Sequence, residues 1–255
     1  MGVVNATPDS FSDGGRYLEP EAAIRHARTL LLEGADVIDV GGESTRPGAA
    51  PVEAPEELER VLPVVRALRD VPVSVDTRRP AVMRAVLAEG ASMINDVQAL
   101  AAPGAVEAVA AADCAVCLMH MKGEPRTMQR DPQYDDVVVE VRDFLAGRIA
   151  ACEAAGIARG RIVADPGFGF GKTVDHNLTL LRRLPEIATL GVPVLAGWSR
   201  KSSLGTLTGR DPGERLAGSL AAALLSLLGG ARILRVHDVK ETRDVVRVWQ
   251  AWSAA

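Results

Sequence analysis

Aromatic residues are scarce in this chain. Phe, Trp and Tyr make up 4% of its 255 residues, too few for the stacking platforms that hold single-stranded nucleic acid. An excess of basic charge is lacking too: the formal net charge is −4, which excludes a broad cationic face for nucleic acid. Three cysteines cannot form a disulfide framework, and reduced thiols suit a cytoplasmic protein. No apolar run approaches the ~18 residues of a membrane span; the best candidate, Leu216–Leu228, is short and rich in alanine. The opening Met1-Gly2-Val3-Val4 has no basic region ahead of it and meets polar Asn5 at once, unlike a secretory leader. What remains is a soluble protein with 47% apolar residues, enough for a large core.

One pattern recurs along the chain: a short apolar run ends in polar residues and a helical stretch follows. Strands are expected at Met1–Asn5, Asp36–Val40, Pro72–Asp76, Ser92–Asp96, Cys114–His120, Arg161–Asp165, Val192–Gly197 and Ala231–His237. The clearest helix is Asp135–Gly156, where Val137, Val141, Phe144, Leu145, Ile149 and Cys152 keep to one face. Ala54-Pro55-Glu56-Glu57 opens another, with proline and acids in its first turn. Gly34, Gly90, Gly156 and Gly191 stand where helices should stop. Apolar strands alternating with helices imply a parallel sheet covered by helices. Eight such units over a length close to the roughly 250 residues typical of the closed form predict an α/β fold, a single-domain (β/α)8 TIM barrel spanning residues 1–255.

The strand ends carry the chemistry. They are Asn5, Asp39, Asp76-Thr77, Asn95-Asp96, His120, Asp165, Ser199-Arg200-Lys201-Ser202 and Arg235-Val236-His237-Asp238. In barrel enzymes the site is built from such residues at the C-terminal mouth. The most telling stretch is Asp165-Pro166-Gly167-Phe168-Gly169-Phe170-Gly171-Lys172. There a carboxylate closes a strand, proline stops the ladder, and glycines let the backbone turn and approach a ligand. Neither phosphate-loop pattern fits: Pro166 stands where the first glycine before Gly171-Lys172-Thr173 is required, and Lys172 replaces the third glycine of a dinucleotide fingerprint. Cys114-Ala115-Val116-Cys117 has metal-like spacing, yet three residues along a strand put the thiols on opposite faces. His26 and His176 read as surface or capping residues. Trp249 and Trp252 share a helical face that is either core or a contact with a second copy.

Asn5–Gly15, Asp39–Gly48, Ser74–Thr77, Ile94–Asp96, Leu118–Met121, Asp165–Lys172, Ser199–Ser202 and Arg235–Asp238 together resemble the dihydropteroate synthase family, in its order and over almost the whole chain. The resemblance implies a barrel that joins a dihydropterin-CH2-diphosphate to 4-aminobenzoate and releases diphosphate. It assigns Asp76, Asn95, Asp165 and Lys201 to the pterin, and Asn5, Arg235 and His237 to the diphosphate with Thr45 and Arg46 nearby. Asn5 is implied as a ligand of Mg2+, and Phe11, Pro47, Phe170, Lys201 and Ser202 as the arylamine pocket. Asp76, Lys201, Arg235 and His237 are the implied catalytic set. Local readings stand beside these: a helix cap for Asp76, a core amide for Asn95, a satisfied rim histidine for His237 and loop packing for Phe170. Loops Asn5–Gly15 and Thr45–Ala50, rich in Gly, Ser, Asp and Pro, read as covers over the substrate.

The family also implies a cytoplasmic homodimer. Its members generally carry a segment before the first strand, whereas this chain starts inside it. Ala6 and Trp198 depart from the larger aliphatic and the smaller side chain expected there. Two alternative readings are a methyltetrahydrofolate-dependent methyltransferase barrel, which has no use for a diphosphate site at Arg235 and His237, and a non-catalytic paralogue that only binds pterin.

Overall fold

A computed structural model describes residues 1–6, 18–43, 52–124 and 127–255. Strands β1 (Gly2–Asn5), β2 (Ile38–Gly41), β3 (Val73–Asp76), β4 (Met93–Asp96), β5 (Ala115–Met119) and β6 (Ile162–Asp165) pair in that order, all parallel. β7 (Leu195–Ala196) pairs in parallel with β8 (Ile233–Leu234). Two parallel bridges, Ala164 with Val194 and Gly2 with Val236, join the pieces into a closed ring. The first is supported by the Ala164 N–H donating to Pro193 O at 2.9 Å; the second by Val3 N–H donating to Val236 O and Val236 N–H to Met1 O, both at 3.0 Å. The expected (β/α)8 TIM barrel is the fold.

Alternation along each strand sorts its side chains between two layers. Val4, Ile38, Val40, Val73, Val75, Ile94, Val116, Leu118 and Ile162 face outward into the main core under the helices. Met93, Cys117, Val163 and Leu195 form a second cluster inside the barrel. Cys114 belongs to the first layer and Cys117 to the second, as strand spacing requires. Inward positions turn from apolar to polar toward the C-terminal ends of the strands. The barrel is therefore plugged with hydrocarbon below and open to chemistry above.

The last two strands are shorter than the apolar runs that contain them. Val194 O accepts from both Arg232 N (2.9 Å) and Ile233 N (3.2 Å), a local irregularity, and Pro193 has no N–H for a ladder. Pairing resumes beyond the regular segment, where Arg235 N–H donates to Ala196 O at 3.0 Å and so sets the height of the Arg235 side chain.

Helices α1 (Leu18–Leu32), α2 (Ala54–Ala67), α3 (Pro80–Ala88), α4 (Ala105–Ala110), α5 (Val137–Ala154), α6 (Val174–Arg182), α7 (Leu184–Ala188), α8 (Ser202–Thr208), α9 (Leu216–Leu228) and α10 (Val239–Ser253) follow the strands. α5 buries Val137, Val141, Leu145, Ile149 and Cys152, with Phe144 partly covered. α2 starts with its proline and acids in the first turn, but Glu57 is buried and donated to by Arg79 at 2.9 Å rather than serving a helix end in solvent. Gly34, Gly90, Gly156 and Gly191 all take positive φ just beyond helices. Along α10, Trp249 packs against the core while Trp252 is 66% exposed, so their shared face overhangs the core's edge. Among the described residues no helix is long and apolar enough to cross a membrane.

The start of α5 gives a direct stability test. Asp136 caps it, accepting from Val138 N (2.9 Å) and Val139 N (3.1 Å), and also pairs with Arg183 at 2.9 Å. Asp136→Ala is expected to cost about 1 kcal/mol, which lowers Tm by about 2–4 °C in a chain of this size. A thermal melt checks it.

Candidate active site

The mouth is built on a buried ion cluster. Asp39, inward from the middle of β2, is fully buried; its Oδ2 accepts from Arg235 Nε at 2.6 Å and from Asn95 Nδ2 at 3.3 Å. Arg235 Nη2 donates to Asp76 Oδ2 at 3.0 Å. One guanidinium thus spans carboxylates from β2 and β3, and one carboxylate reaches β4 and the end of β8. Register permits this, because Gly41, Asp76 and Asn95 lie side by side on successive strands. Asn95 Oδ1, Asp39 Oδ1 and Ser74 Oγ are buried without a hydrogen-bond partner. Three orphaned acceptor atoms at the floor of an open mouth mark a place for ligand or water donors.

Burial sets the protonation states. It pushes Asp76 up to about 7, a rise that Arg235 opposes and the nearby Asp39 charge reinforces. Burial also raises Asp165, against the pull of Lys201, and lowers Lys201 to about 8, against the pull of Asp165. Arg235 moves the other way: the carboxylates of Asp39 and Asp76 outweigh its burial and hold it firmly charged. Opposite shifts in neighbouring acids and bases within one cleft are typical of a working site.

Asp165 ends β6, and its Oδ1 accepts from Gly167 N at 2.7 Å, which fixes the plane of the carboxylate. The loop that follows is folded around a buried lysine. Lys172 Nζ donates to Gly167 O (3.0 Å) and Phe170 O (3.1 Å) and meets His120 Nδ1 at 2.9 Å. That last contact needs an unprotonated Nδ1, and burial, aided by the Lys172 charge, lowers His120 to about 3. Gly167 and Gly171 have φ of +68° and +62°, and a Cβ on them would come within 1.9 Å of His120 O and 2.1 Å of Lys122 O. Only glycine can pass there. Lys201 donates from Nζ to Phe168 O and lies 4.6 Å from the centre of the Phe170 ring. It is the residue just before α8, and the exposed Ser202 opens that helix.

On the far side of Arg235, His237 is held by Ser199: Oγ accepts from His237 N at 3.1 Å and lies 3.0 Å from Nδ1. The first contact is donated by the backbone; the direction of the second follows the histidine tautomer. Asn5 is half-buried at the end of β1, beside Gly41 of β2.

The profile match to the pterin binding enzyme family covers residues 1–237. The chain belongs to the pterin-binding enzyme family. It is 52% identical over 258 residues to the dihydropteroate synthase of Escherichia coli (strain K12), spanning all of this chain and 92% of that protein. A Xanthomonas albilineans dihydropteroate synthase solved with 4-aminobenzoic acid is 56% identical, covering 100% of this chain and 93% of that one, with a TM-score of 0.95. The same organism's enzyme in complex with 7,8-dihydropteroate is 54% identical, covering 100% and 93%, with a TM-score of 0.92.

Of the residues singled out in this pterin-binding enzyme, Asp76, Asn95, Asp165, Phe170, Lys201, Arg235 and His237 gather at one mouth, with Asn5 and Ser202 on its edge. Phe11, Thr45, Arg46 and Pro47 lie outside the described residues. Two of the polar strand ends do not face the mouth. Asp96 is buried outward and accepts from Gln98 N and Leu100 N, both at 2.8 Å, while His120 serves Lys172. Asp39 and Ser199, noted at strand ends, and Lys172, noted in the β6–α6 loop, had no role assigned from the sequence; in the structure they hold other site groups in place. Trp198 packs on Phe168 at 4.9 Å in the outer core, so its bulk bears on the site through that phenylalanine. His176 completes a capping box with Thr173 at the start of α6.

The folded protein keeps the Asp76 proton up to about pH 7, whereas the unfolded chain releases it near 3.8. The stability contributed by that difference is full below about pH 4 and disappears as pH rises to about 7. Asp76→Asn is therefore expected to flatten the slope of Tm against pH across that window. A slope equal to the parent's contradicts the assigned shift.

Proposed function

We propose that this pterin-binding enzyme catalyses the dihydropteroate synthase reaction, joining (7,8-dihydropterin-6-yl)methyl diphosphate to 4-aminobenzoate and releasing diphosphate. The observation that carries the reading is the 3.0 Å contact between Arg235 and Asp76. The reacting CH2 links a flat heterocycle to an anionic leaving group, so the groups that take each must be adjacent. Here an anion-holding guanidinium touches a carboxylate on the heterocycle's side of the mouth.

In this reading Asp165, Asn95 and Asp76 take the donor edge of the pterin and Lys201 its ring acceptors. Leaving any of them unpaired in a buried site costs about 1–3 kcal/mol, which gives selectivity. Arg235 and His237 take the diphosphate, with Thr45 and Arg46 as further contacts. Arg offers two donors in a rigid fork, which suits phosphate oxygens. The arylamine lies along Phe170, Lys201 and Ser202, with Phe11 and Pro47.

Asn5 would hold Mg2+. Its amide oxygen is a hard donor, and Mg2+ leans on substrate phosphates and water, so a single protein ligand fits the chemistry. No group of three or more His, Cys, Asp or Glu suited to a metal occurs among the described residues. When bound, the ion would supply charge neutralisation on the phosphate oxygens.

The C–O bond breaks ahead of attack, and its electron pair leaves with the diphosphate, whose charge Arg235 and His237 meet. Positive charge on the methylene spreads into the electron-rich pterin, with the Asp76 anion beside it. The neutral arylamine nitrogen then forms the C–N bond and loses a proton to solvent; no strong base is needed.

Further parts of the reading concern the whole molecule. Leu207, Leu225, Leu228 and Trp252 on α8, α9 and α10 are at least half exposed, which supports the reading of a homodimer. Three buried free thiols fit a reducing cytoplasm. The chain 1–255 is one functional domain.

The deciding assay follows diphosphate release from the dihydropterin diphosphate with Mg2+, with and without 4-aminobenzoate. Release that depends on the arylamine and gives a coupled product is expected. Pterin binding without release under either condition points to a binding-only paralogue. In the same assay Asp165→Ala should abolish pterin binding, and Arg235→Ala should weaken the diphosphate-bearing substrate about 10- to 100-fold, far more than free pterin.

A further inference from the structure

We propose that Asp39 is a positioning residue that fixes the donor and acceptor faces of both halves of the site without touching either substrate. It lies one layer below the mouth, is fully buried, and spends one oxygen on Arg235 Nε (2.6 Å) and Asn95 Nδ2 (3.3 Å). These are a residue assigned to the diphosphate and a residue assigned to the pterin, so the inference rests on that assignment.

Two geometric consequences follow. An amide side chain can present either its oxygen or its NH2 group to a ligand, and packing alone barely distinguishes them. A carboxylate beneath it accepts only from Nδ2. Asp39 therefore turns Asn95 Oδ1 toward the mouth, where it is buried and without a protein partner. The second consequence concerns Arg235. Asp39 holds the Nε edge of the guanidinium, so Asp76 receives a single Nη2 bond at 3.0 Å. Without Asp39, the guanidinium is free to turn side-on to Asp76 and pair through both nitrogens, the stronger geometry for such a pair. That would withdraw the cation from a phosphate and the carboxylate from a pterin together.

The remaining oxygen, Asp39 Oδ1, and the neighbouring Ser74 Oγ are both buried without a partner, and Asp39 and Ser74 are register partners on adjacent strands. A buried ion pair is weak evidence for stability; its value here is orientation.

The test compares Asp39→Asn with the parent by calorimetric binding of two separate ligands, free dihydropterin and inorganic diphosphate, together with Tm. Parent protein that binds neither ligand would overturn the site assignment itself, which separates that failure from failure of the present inference. With parent binding intact, Asp39→Asn is expected to weaken both ligands about 10-fold or more. Its effect on diphosphate should vanish in an Arg235→Met background; its effect on pterin should shrink in an Asn95→Ala background and vanish in the Asn95→Ala, Arg235→Met double background. Equal losses in every background, or a lowered Tm with unchanged affinity per folded molecule, would overturn the inference and leave Asp39 a purely structural acid. If Asp39→Asn does not accumulate as folded protein, Asp39→Glu keeps the charge but displaces it by one methylene. Weakened binding of both ligands is again expected, and parent-like affinity for both would overturn the inference.

Discussion

The Arg235 guanidinium, shared between Asp39 and Asp76, is the interaction on which the mouth depends. It draws together the middle of β2, the end of β3 and the end of β8, and through Asp39 it also reaches Asn95 on β4. Such a cluster is costly to bury, because each carboxylate gives up hydration that its partner only partly replaces. The ring of strands bears that cost through its two apolar layers, one under the helices and one in the barrel's lower interior. In return the mouth holds charged groups whose positions are settled before any ligand arrives, the condition under which electrostatic stabilisation of a transition state works best.

The opposite wall obeys a different constraint. There the positions are held by backbone, with Lys172 as the pin of the β6–α6 turn and Gly167 and Gly171 where any larger residue would strike a carbonyl. The Lys172 amine, whose pKa burial lowers well below its ordinary value, has its partners in Gly167 O, Phe170 O and His120 Nδ1, so this lysine is structural. Asp165 and Phe170 inherit their placement from it. The two walls meet through Lys201, whose amine reaches Phe168 O and whose charge is balanced against Asp165.

Much of this was legible in the sequence. Eight apolar runs separated by helical stretches announced the barrel, and the regular parts of β7 and β8 came out short because Pro193 and the doubled acceptor at Val194 O interrupt their ladder. Asp76, Asn95, Asp165, Lys201, Arg235 and His237 were visible as polar residues at strand ends, and the resemblance to the dihydropteroate synthase family gave them their roles. The roles of Asp39, Ser199 and Lys172 were not legible, although all three stand at strand ends or in the telling loop, since they act on side chains and loops and not on a ligand. A signal for Asp39 did exist. A carboxylate between Ile38 and Val40, at the inward parity of a buried strand, requires a buried cation, and the inward Arg235 was available. The same parity places Asp96 outward once Asn95 faces in, so its role in anchoring the following loop was also readable.

The central claim is that the side chains of the mouth stand in place before a ligand arrives, and that burial holds the Asp76 and Asp165 carboxyls above their ordinary range, so that hydrogen-bond donors on a ligand draw off their protons. The direct measurement is proton exchange on binding of free dihydropterin, read calorimetrically in buffers of different ionisation enthalpy from about pH 6 to about pH 8.5. The account predicts net proton release at the acid end of that range, fading toward its alkaline end as the acids ionise unaided. Binding with no proton release near pH 6 would contradict it.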